Sequence, residues 1–192
     1  MRKIISALSL SSALIFTLAV HAAAPANFAG TWNLDKSKSQ GLNQRLQGAD
    51  SVTWTITQTD KTVTIEEKVA GGQMGGGPGG GAPPAGAPAG GGGGQGGGRM
   101  GGGFGGPRTF NLDGSETTAD MGRGKVARKA SWSNNGGTLE LVSKNTFAGQ
   151  DGAEVVSTTT EKLTLSGDGK TLTVTRKTEG PRPSDSTYVF TK

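Results

Sequence analysis

Apolar and polar residues alternate with a period of two along most of this chain. Val52, Trp54 and Ile56 alternate with threonines, and Val63 and Ile65 repeat the pattern after a turn. A period of two is typical of β-strands that bury one face and expose the other. The pattern therefore predicts an all-β fold in which each strand has an apolar side and a polar side.

Short turn sequences separate the alternating segments. They are Asp113-Gly114, Asn135-Gly136, Asp151-Gly152 and Gly167-Asp168-Gly169. Turns of this kind pair consecutive strands antiparallel. A meander of about eight to ten strands tends to close on itself, because closure removes its exposed edges. We therefore predict an antiparallel up-and-down meander that closes into a barrel, with a β-sandwich as the second choice.

A glycine- and proline-rich segment interrupts the pattern at residues 71–106. It holds 22 of the chain's 35 glycines and very few apolar side chains. Such a segment cannot bury enough apolar surface to offset its ordering entropy, so we predict a disordered insertion. A loop of about 36 residues costs only about 2 kcal/mol more to close than a short one. Residues 25–192 are thus expected to form one domain around it.

The N-terminus has the three regions of an export signal. Charged Met1-Arg2-Lys3 precedes an apolar stretch at residues 4–20 and small residues at 22–24. This order predicts a signal peptide over residues 1–24 and a periplasmic or secreted product. A transmembrane segment is the alternative interpretation of the same residues. No later apolar run is long enough to cross a bilayer, so no transmembrane anchor is expected after cleavage.

The chemistry open to the exported chain is limited, because it has no cysteine and its one histidine, His21, lies in the signal. Triads, cysteine nucleophiles, disulfides and His/Cys metal sites are excluded. Carboxylates remain at predicted turns, where turn chemistry accounts for them better than calcium binding or glycoside hydrolysis. They are Asp35, Asp113, Glu116, Asp120, Asp151, Asp168 and Asp185. We expect no enzymatic activity, no catalytic residue, no cofactor and no metal.

The net charge of +5 at pH 7 gives little support for a nucleic-acid partner. The basic residues are scattered among acids and threonines rather than gathered in a stripe. The glycine-rich segment and its end contribute only Arg99, Phe104 and Arg108, too few for an arm that stacks on single-stranded nucleic acid. We therefore expect no nucleic-acid binding.

A motif at the start of the predicted domain carries a family resemblance. Gly30-Thr31-Trp32-Asn33-Leu34-Asp35 precedes the meander, followed by Lys38-Ser39, and a hairpin over residues 168–176 comes near the end of the meander. The Gly-x-Trp start resembles that of lipocalins and other calycins. The whole is similar to small bacterial exported lipocalin-like proteins, although the insertion and the lack of a disulfide depart from the lipocalin pattern.

The resemblance implies a role for three residues in closing the barrel. Gly30 would permit a tight turn into the first strand, and Trp32 would cap the closed end. In lipocalins an arginine from a late strand lies across this tryptophan. Arg176, which has the inward parity of its strand, is the candidate for that cation–π contact.

Residues of inward parity form the candidate ligand site. As in lipocalins, they would line a pocket for a small apolar or amphipathic ligand. The alternative is a barrel filled by its own side chains. The predicted set is Trp54, Ile56, Val63, Ile65, Phe110, Leu112, Trp132 and Leu141. Arg128 and Glu161 share the inward parity, and we expect either an internal ion pair or polar ligand anchors unless a bulge turns them outward.

Two functions follow from these observations. The first is a non-enzymatic exported lipocalin-like protein that binds a small apolar or amphipathic ligand in its barrel. The alternative is a protein-interaction module of the cell envelope, including a protease-inhibitor-like barrel, with no small-molecule ligand. In that case the long glycine-rich segment would reach an envelope protein partner.

Overall fold

The computed structural model describes residues 24–71, 106–122, 124–149 and 152–192. The predicted signal peptide up to residue 23, residues 72–105 of the predicted insertion and Asp151 lie outside the described residues. The described chain forms ten β-strands and one short α-helix. None of its helices has the length and apolar character needed to span a bilayer.

The bounds of the elements follow the alternation of the sequence. They are β1 (Gly30–Leu34), α1 (Gln44–Gly48), β2 (Ser51–Gln58), β3 (Thr62–Ala70), β4 (Arg108–Asn111), β5 (Thr117–Asp120), β6 (Gly124–Ser133), β7 (Thr138–Ala148), β8 (Glu154–Leu165), β9 (Thr171–Glu179) and β10 (Ser184–Thr191). In β2, for example, Val52, Trp54 and Ile56 are buried while Thr55 and Thr57 between and beyond them are exposed. Apolar burial on one side therefore selects the strand conformation and its register.

The strands form one antiparallel sheet of up-and-down topology. Its order is β4-β3-β2-β1-β10-β9-β8-β7-β6-β5, so the first and last strands pair with each other. The two edge strands, β4 and β5, are consecutive in the chain, and the Thr117 hydroxyl of β5 donates a hydrogen bond to the Thr109 carbonyl of β4 at 3.5 Å. The sheet is nearly closed into a barrel. The predicted all-β meander is confirmed, and the β-sandwich is not formed.

Inside the barrel, the inward side chains change from apolar to polar along the long strands β6 to β9. One row of mutually opposite residues consists of Trp132, Leu139, Leu163 and Val174, continuing to Tyr188 of β10. Four residues along each strand, a second row consists of Arg128, Ser143, Thr159 and Thr178. We call the region of the first row the apolar half and the region of the second row the polar half.

Large buried side chains pack the apolar half. Trp32, Phe110, Leu139, Leu163 and Leu172 all have an exposed fraction of 0% and belong to one continuous hydrophobic cluster. Burying such a side chain contributes about 1.5–3 kcal/mol relative to leaving it in water. This half therefore supplies most of the driving force for folding.

The segment before β1 closes the end of the apolar half. Phe28 stacks on Trp132 with ring centroids 6.1 Å apart, and the indole nitrogen of Trp32 donates to the Phe28 carbonyl at 2.8 Å. Gln58 holds the segment twice, accepting from the Phe28 N–H at 2.9 Å and donating to the Ala26 carbonyl at 3.0 Å. On its other side, the Ala26 N–H donates to the Gly136 carbonyl in the β6–β7 turn at 2.8 Å. Residues 26–28 therefore close this end of the barrel, and we call them the plug.

Lys192, not Arg176, is the cation over Trp32, so the predicted Arg176–Trp32 stack is wrong. The Lys192 ammonium lies 4.4 Å from the Trp32 ring centroid. The register explains the difference: Leu34 of β1 is level with Leu172 of β9 through β10. Arg176 lies four residues farther along β9, about 13 Å at about 3.3 Å per residue, on the side away from Trp32.

Gly30 begins β1 in a conformation that favours glycine. Its φ is +137°, and a Cβ placed there would lie 3.1 Å from Cε of Lys192. A larger residue would be strained and would press on the side chain that covers Trp32. This backbone geometry matches the tight start of the first strand that the resemblance implied for Gly30.

Candidate functional site

The predicted apolar ligand set is part of the packed core. Six of its members have exposed fractions of 2% or less: Trp54, Ile56, Val63, Ile65, Phe110 and Leu141. Leu112 and Trp132 are partly buried and pack against the same cluster. These side chains pack in one cluster, in which Trp132 also stacks on Phe28 of the plug. Contact with a ligand stays a prediction for them. Groups with unmet bonding capacity lie in the polar half.

Two arginines contact one buried glutamate at the boundary of the polar half, and a third arginine, Arg128, lies near Arg108. We call Arg108 of β4, Arg128 of β6, Glu161 of β8 and Arg176 of β9 the interior arginine cluster. The side chain of Glu161 is only 1% exposed, whereas those of Arg108 and Arg176 are 19% and 33% exposed. The cluster is therefore anchored at a buried carboxylate and remains within reach of solvent through its arginines.

Glu161 is bound unequally by its two partners. Nη1 of Arg108 lies 2.5 Å from Glu161 Oε2, a close charge-assisted hydrogen bond. Nε of Arg176 lies 3.9 Å from Glu161 Oε1, within ion-pair range but too far for a hydrogen bond. Glu161 Oε1 is thus buried without a hydrogen-bond partner. Glu161 and Arg176 face each other because they are opposite in the β8–β9 register.

Arg128 is the arginine of the cluster that lacks an anion. Its Nε is buried and has no hydrogen-bond partner, and the described residues hold no ion pair for it. Burial and, to a smaller extent, the positive charge of Arg108 lower the pKa of the Arg128 guanidinium below its ordinary value. Since arginine stays charged in proteins, the consequence is an incompletely compensated positive charge inside the barrel.

Trp54 fixes the position of Arg108 at the boundary between the halves. The Arg108 guanidinium carbon lies 5.3 Å from the Trp54 ring centroid, a cation–π contact. The Trp54 indole nitrogen donates to Oε2 of Glu67, directly opposite on β3, at 3.1 Å. The other oxygen of Glu67 lies 3.6 Å from the guanidinium of Arg45 in α1. The indole is held on one face by packing and at its edge by Glu67, so it orients Arg108 toward Glu161.

Two exposed apolar side chains lie at the rim of the polar half. Met121 and Phe147 are 48% and 41% exposed, the large hydrophobic side chains that the described residues leave open to solvent. They are neighbours: Phe147 is opposite Gly124 in the β6–β7 register, and the Met121 N–H donates to the Gly124 carbonyl at 2.8 Å. We call this pair the apolar lip. Arg128 lies four residues, about 13 Å, along β6 from the lip.

A polar groove of about 550 Å³ on β7 to β10 is a weaker candidate. Its charges are compensated by neighbours: Lys162 lies 3.1 Å from Glu140, and Lys177 lies 2.7 Å from Glu179. These pairs are largely exposed and contribute little. Paired lysines and neutral hydroxyls form most of its lining, and the incompletely paired Arg176 of the cluster also reaches it.

Several predicted turn carboxylates bind their own turns. Asp35 accepts hydrogen bonds from Ser37 and Lys38, Asp113 from Ser115, and Asp168 from Lys170. The hydrogen bonds from Lys38 and then Ser37 lower the pKa of Asp35 to about 2. The pKa values of Asp113 and Asp168 are also lowered, first by the side chains of Ser115 and Ser166. Within the described ranges, no group of three or more carboxylates could hold a metal ion.

Sequence patterning found part of this site and missed part of it. Arg128 and Glu161 are predicted inward, and their buried atoms show that no bulge turns them out. Of the two alternatives, the internal ion pair between them is not formed, because Glu161 pairs with Arg108 and Arg176, and the role of polar ligand anchors stays a prediction. Arg108 is missed because it follows the end of the glycine-rich segment directly. The available signal was its parity, because it lies two residues before buried Phe110.

Comparisons of the chain with protein-family models, with curated proteins and with solved structures find no match. The likeness to lipocalins therefore depends on the motif and on the nearly closed antiparallel barrel itself.

Proposed function

We propose that this protein is a non-enzymatic, exported, lipocalin-like binding protein that holds a small amphipathic ligand in the polar half of its barrel. The observation that carries the proposal is the unmatched guanidinium of Arg128, whose Nε is buried without a partner. Burying a polar group without a hydrogen bond costs about 1–3 kcal/mol, a cost that a bound ligand would remove.

The arrangement of the polar half suits a ligand with one polar end and one apolar end. The interior arginine cluster offers directed donors, and the apolar lip of Met121 and Phe147 offers exposed hydrophobic surface farther out. Binding sites of small molecules commonly combine apolar walls with a few placed polar groups. A ligand whose polar end contacts the cluster and whose apolar body covers the lip would satisfy both.

A binding role fits the cluster better than a catalytic role. The carboxylate of Glu161 is engaged by Arg108, and the other groups beside it are guanidiniums, which neither accept nor readily release protons. General acid–base chemistry needs a group that changes protonation near the working pH. The interior arginine cluster is instead a set of fixed charges that orients a bound group.

Tryptophan emission gives a direct test. Delipidated protein would be titrated with lauric acid below its micelle concentration while fluorescence is recorded. Trp54 contacts Arg108, whereas Trp132 packs against Phe28 in the plug. We expect a saturable change in emission that persists in Trp132→Phe and is lost in Trp54→Phe. Absence of saturable binding by any amphiphile would refute the proposal and leave the envelope interaction module as the remaining function.

A further inference from the structure

We infer that the polar end of the ligand is an anion, a carboxylate or a phosphate, and that Arg128 and Arg176 bind it beside Glu161. This inference rests on the proposed function, since it names the class of ligand for the same site. It is carried by the charge and the unmet hydrogen-bond capacity of the interior arginine cluster.

The charge of the cluster favours an anion over a cation or a neutral group. The cluster holds three guanidiniums and only one carboxylate, and Arg108 already makes the close contact with that carboxylate. Arg176 keeps only the 3.9 Å contact, and Arg128 keeps none. A ligand anion would complete the pairing of both. A ligand cation would find one free oxygen, Glu161 Oε1, on a carboxylate that is already paired with two positive charges.

Guanidinium geometry narrows the class of anion. Arginine presents its donors in a planar fork that matches two oxygens of a carboxylate or a phosphate. Arg128 has its Nε free for such a contact, and Arg176 is one-third exposed, so both can turn donors toward a ligand. Arg108 is held by Glu161 and Trp54 and therefore supports the site without leaving its partners.

The position of the cluster also explains why an amphipathic anion fits better than a free inorganic one. Arg128 lies inside the barrel, four residues along β6 from the rim, and the exposed Met121 and Phe147 stand at that rim. An anion that carries an apolar chain would place its charge at Arg128 and its chain against the lip. The chain would gain hydrophobic contact, since removing apolar surface from water is favourable.

Calorimetry with amphiphiles of one chain length separates the headgroup from the tail. Laurate, dodecyl phosphate, dodecanol and dodecyltrimethylammonium would be titrated into the full exported chain below their micelle concentrations. The variant is Arg128→Leu, and the control is Arg182→Leu, which removes the same charge from an exposed position. Arg176→Leu provides a second variant if Arg128→Leu does not fold by circular dichroism.

We expect the two anions to bind at least about tenfold more tightly than dodecanol or the cation, and Arg128→Leu or Arg176→Leu to weaken anion binding about ten- to a hundredfold. Dodecanol binding should not change, and Arg182→Leu should behave as the unmodified protein. Preference for laurate or for dodecyl phosphate identifies the headgroup as carboxylate or phosphate.

Two results would overturn the inference while leaving the proposed function in place. One is equal affinity for all four headgroups; the other is an equal loss of anion affinity in Arg128→Leu and Arg182→Leu, which would indicate only general attraction by the net charge. If none of the four amphiphiles binds the unmodified protein, the proposed function fails together with the inference.

Discussion

The apolar and polar halves of the barrel use the same strands and the same alternation, yet they differ in what they leave unsatisfied. Leu139 and Leu163 of the apolar half are fully covered by neighbours. Four residues along β7 and β8, Ser143 and Thr159 occupy the equivalent inward positions beside Arg128. One half is complete as it stands, while the other holds donors and acceptors with no partner. Stability and binding are therefore separated along the barrel axis.

This separation has an energetic reason. A buried ion pair seldom stabilises a fold more than well-packed apolar residues of similar volume do. Glu161 and its three arginines are thus a poor choice for stability alone, and the apolar half, closed by Phe28, supplies the stability that tolerates them. The comparison predicts that equal substitutions will have unequal effects in the two halves.

The largest contrast is expected between two phenylalanines. Phe110→Ala removes a side chain with an exposed fraction of 0% in the apolar half, whereas Phe147→Ala removes one that is 41% exposed at the rim. Phe110→Ala should lower the free energy of unfolding by about 3–5 kcal/mol through a cavity. Phe147→Ala should lower it by less than about 1 kcal/mol. Urea denaturation followed by circular dichroism measures both, and similar losses would contradict the division into halves.

Substitution of Glu161 should have the next largest effect on stability. Glu161→Gln removes the negative charge that pairs with Arg108 and Arg176, and we expect a loss of about 2–3 kcal/mol in the free energy of unfolding. The matched control is Glu140→Gln, which breaks an exposed pair with Lys162 at 3.1 Å and should cost less than about 1 kcal/mol. Denaturation at low and moderate salt tests this. If the two variants are equally stable, the charge of Glu161 does not hold the cluster together.

Gln58 should have a moderate effect that is confined to the plug. Gln58→Ala removes two hydrogen bonds to the backbone of Ala26 and Phe28, for a loss of about 1–2 kcal/mol. Hydrogen exchange should become faster at the Phe28 amide, because that amide loses its acceptor. The control is Gln47→Ala, whose side chain donates to a carbonyl before α1 on the surface. Unchanged exchange at Phe28 would show that Gln58 does not hold the plug.

The smallest effect is expected on the free energy of unfolding at acidic pH. The pKa of Asp35 is lowered from 3.8 to about 2, first by the hydrogen bond with Lys38 and then by that with Ser37. A folded-state pKa below the unfolded value gives stability above about pH 4 that is lost as the pH falls toward 2. Asp35→Asn should therefore flatten the pH dependence of the free energy of unfolding between pH 4 and 2. An unchanged slope in this window would rule out the contribution of Asp35.

Most of the fold could be predicted from local patterns. The alternation along β2 and β3 and turn dipeptides such as Asn135-Gly136 specify strands and hairpins, and short hairpins allow few topologies. The polar half was only partly predictable. Parity placed Arg128 and Glu161 inside, but pairing across the barrel depends on the register of strands far apart in sequence. Arg108 and Glu161, for example, are 53 residues apart.

The error at Trp32 has the same origin. Parity alone placed Arg176 inward but could not say how far along the axis it lies. The register of β1 with β10 puts Lys192 level with Trp32 and leaves Arg176 at Glu161. Whether a side chain points inward or outward is encoded locally, through the period of two. Its position along the barrel axis depends instead on the pairing of the first and last strands.

The most direct test of the division is nuclear magnetic resonance of the arginine Nε–Hε groups during a titration with laurate. If the polar half binds an anion, the Arg128 Nε–Hε signal should shift saturably, because that group gains an acceptor. The backbone amides of Phe28 and Leu139 in the apolar half should stay unchanged. A titration that shifts those amides and leaves Arg128 unmoved would contradict the account.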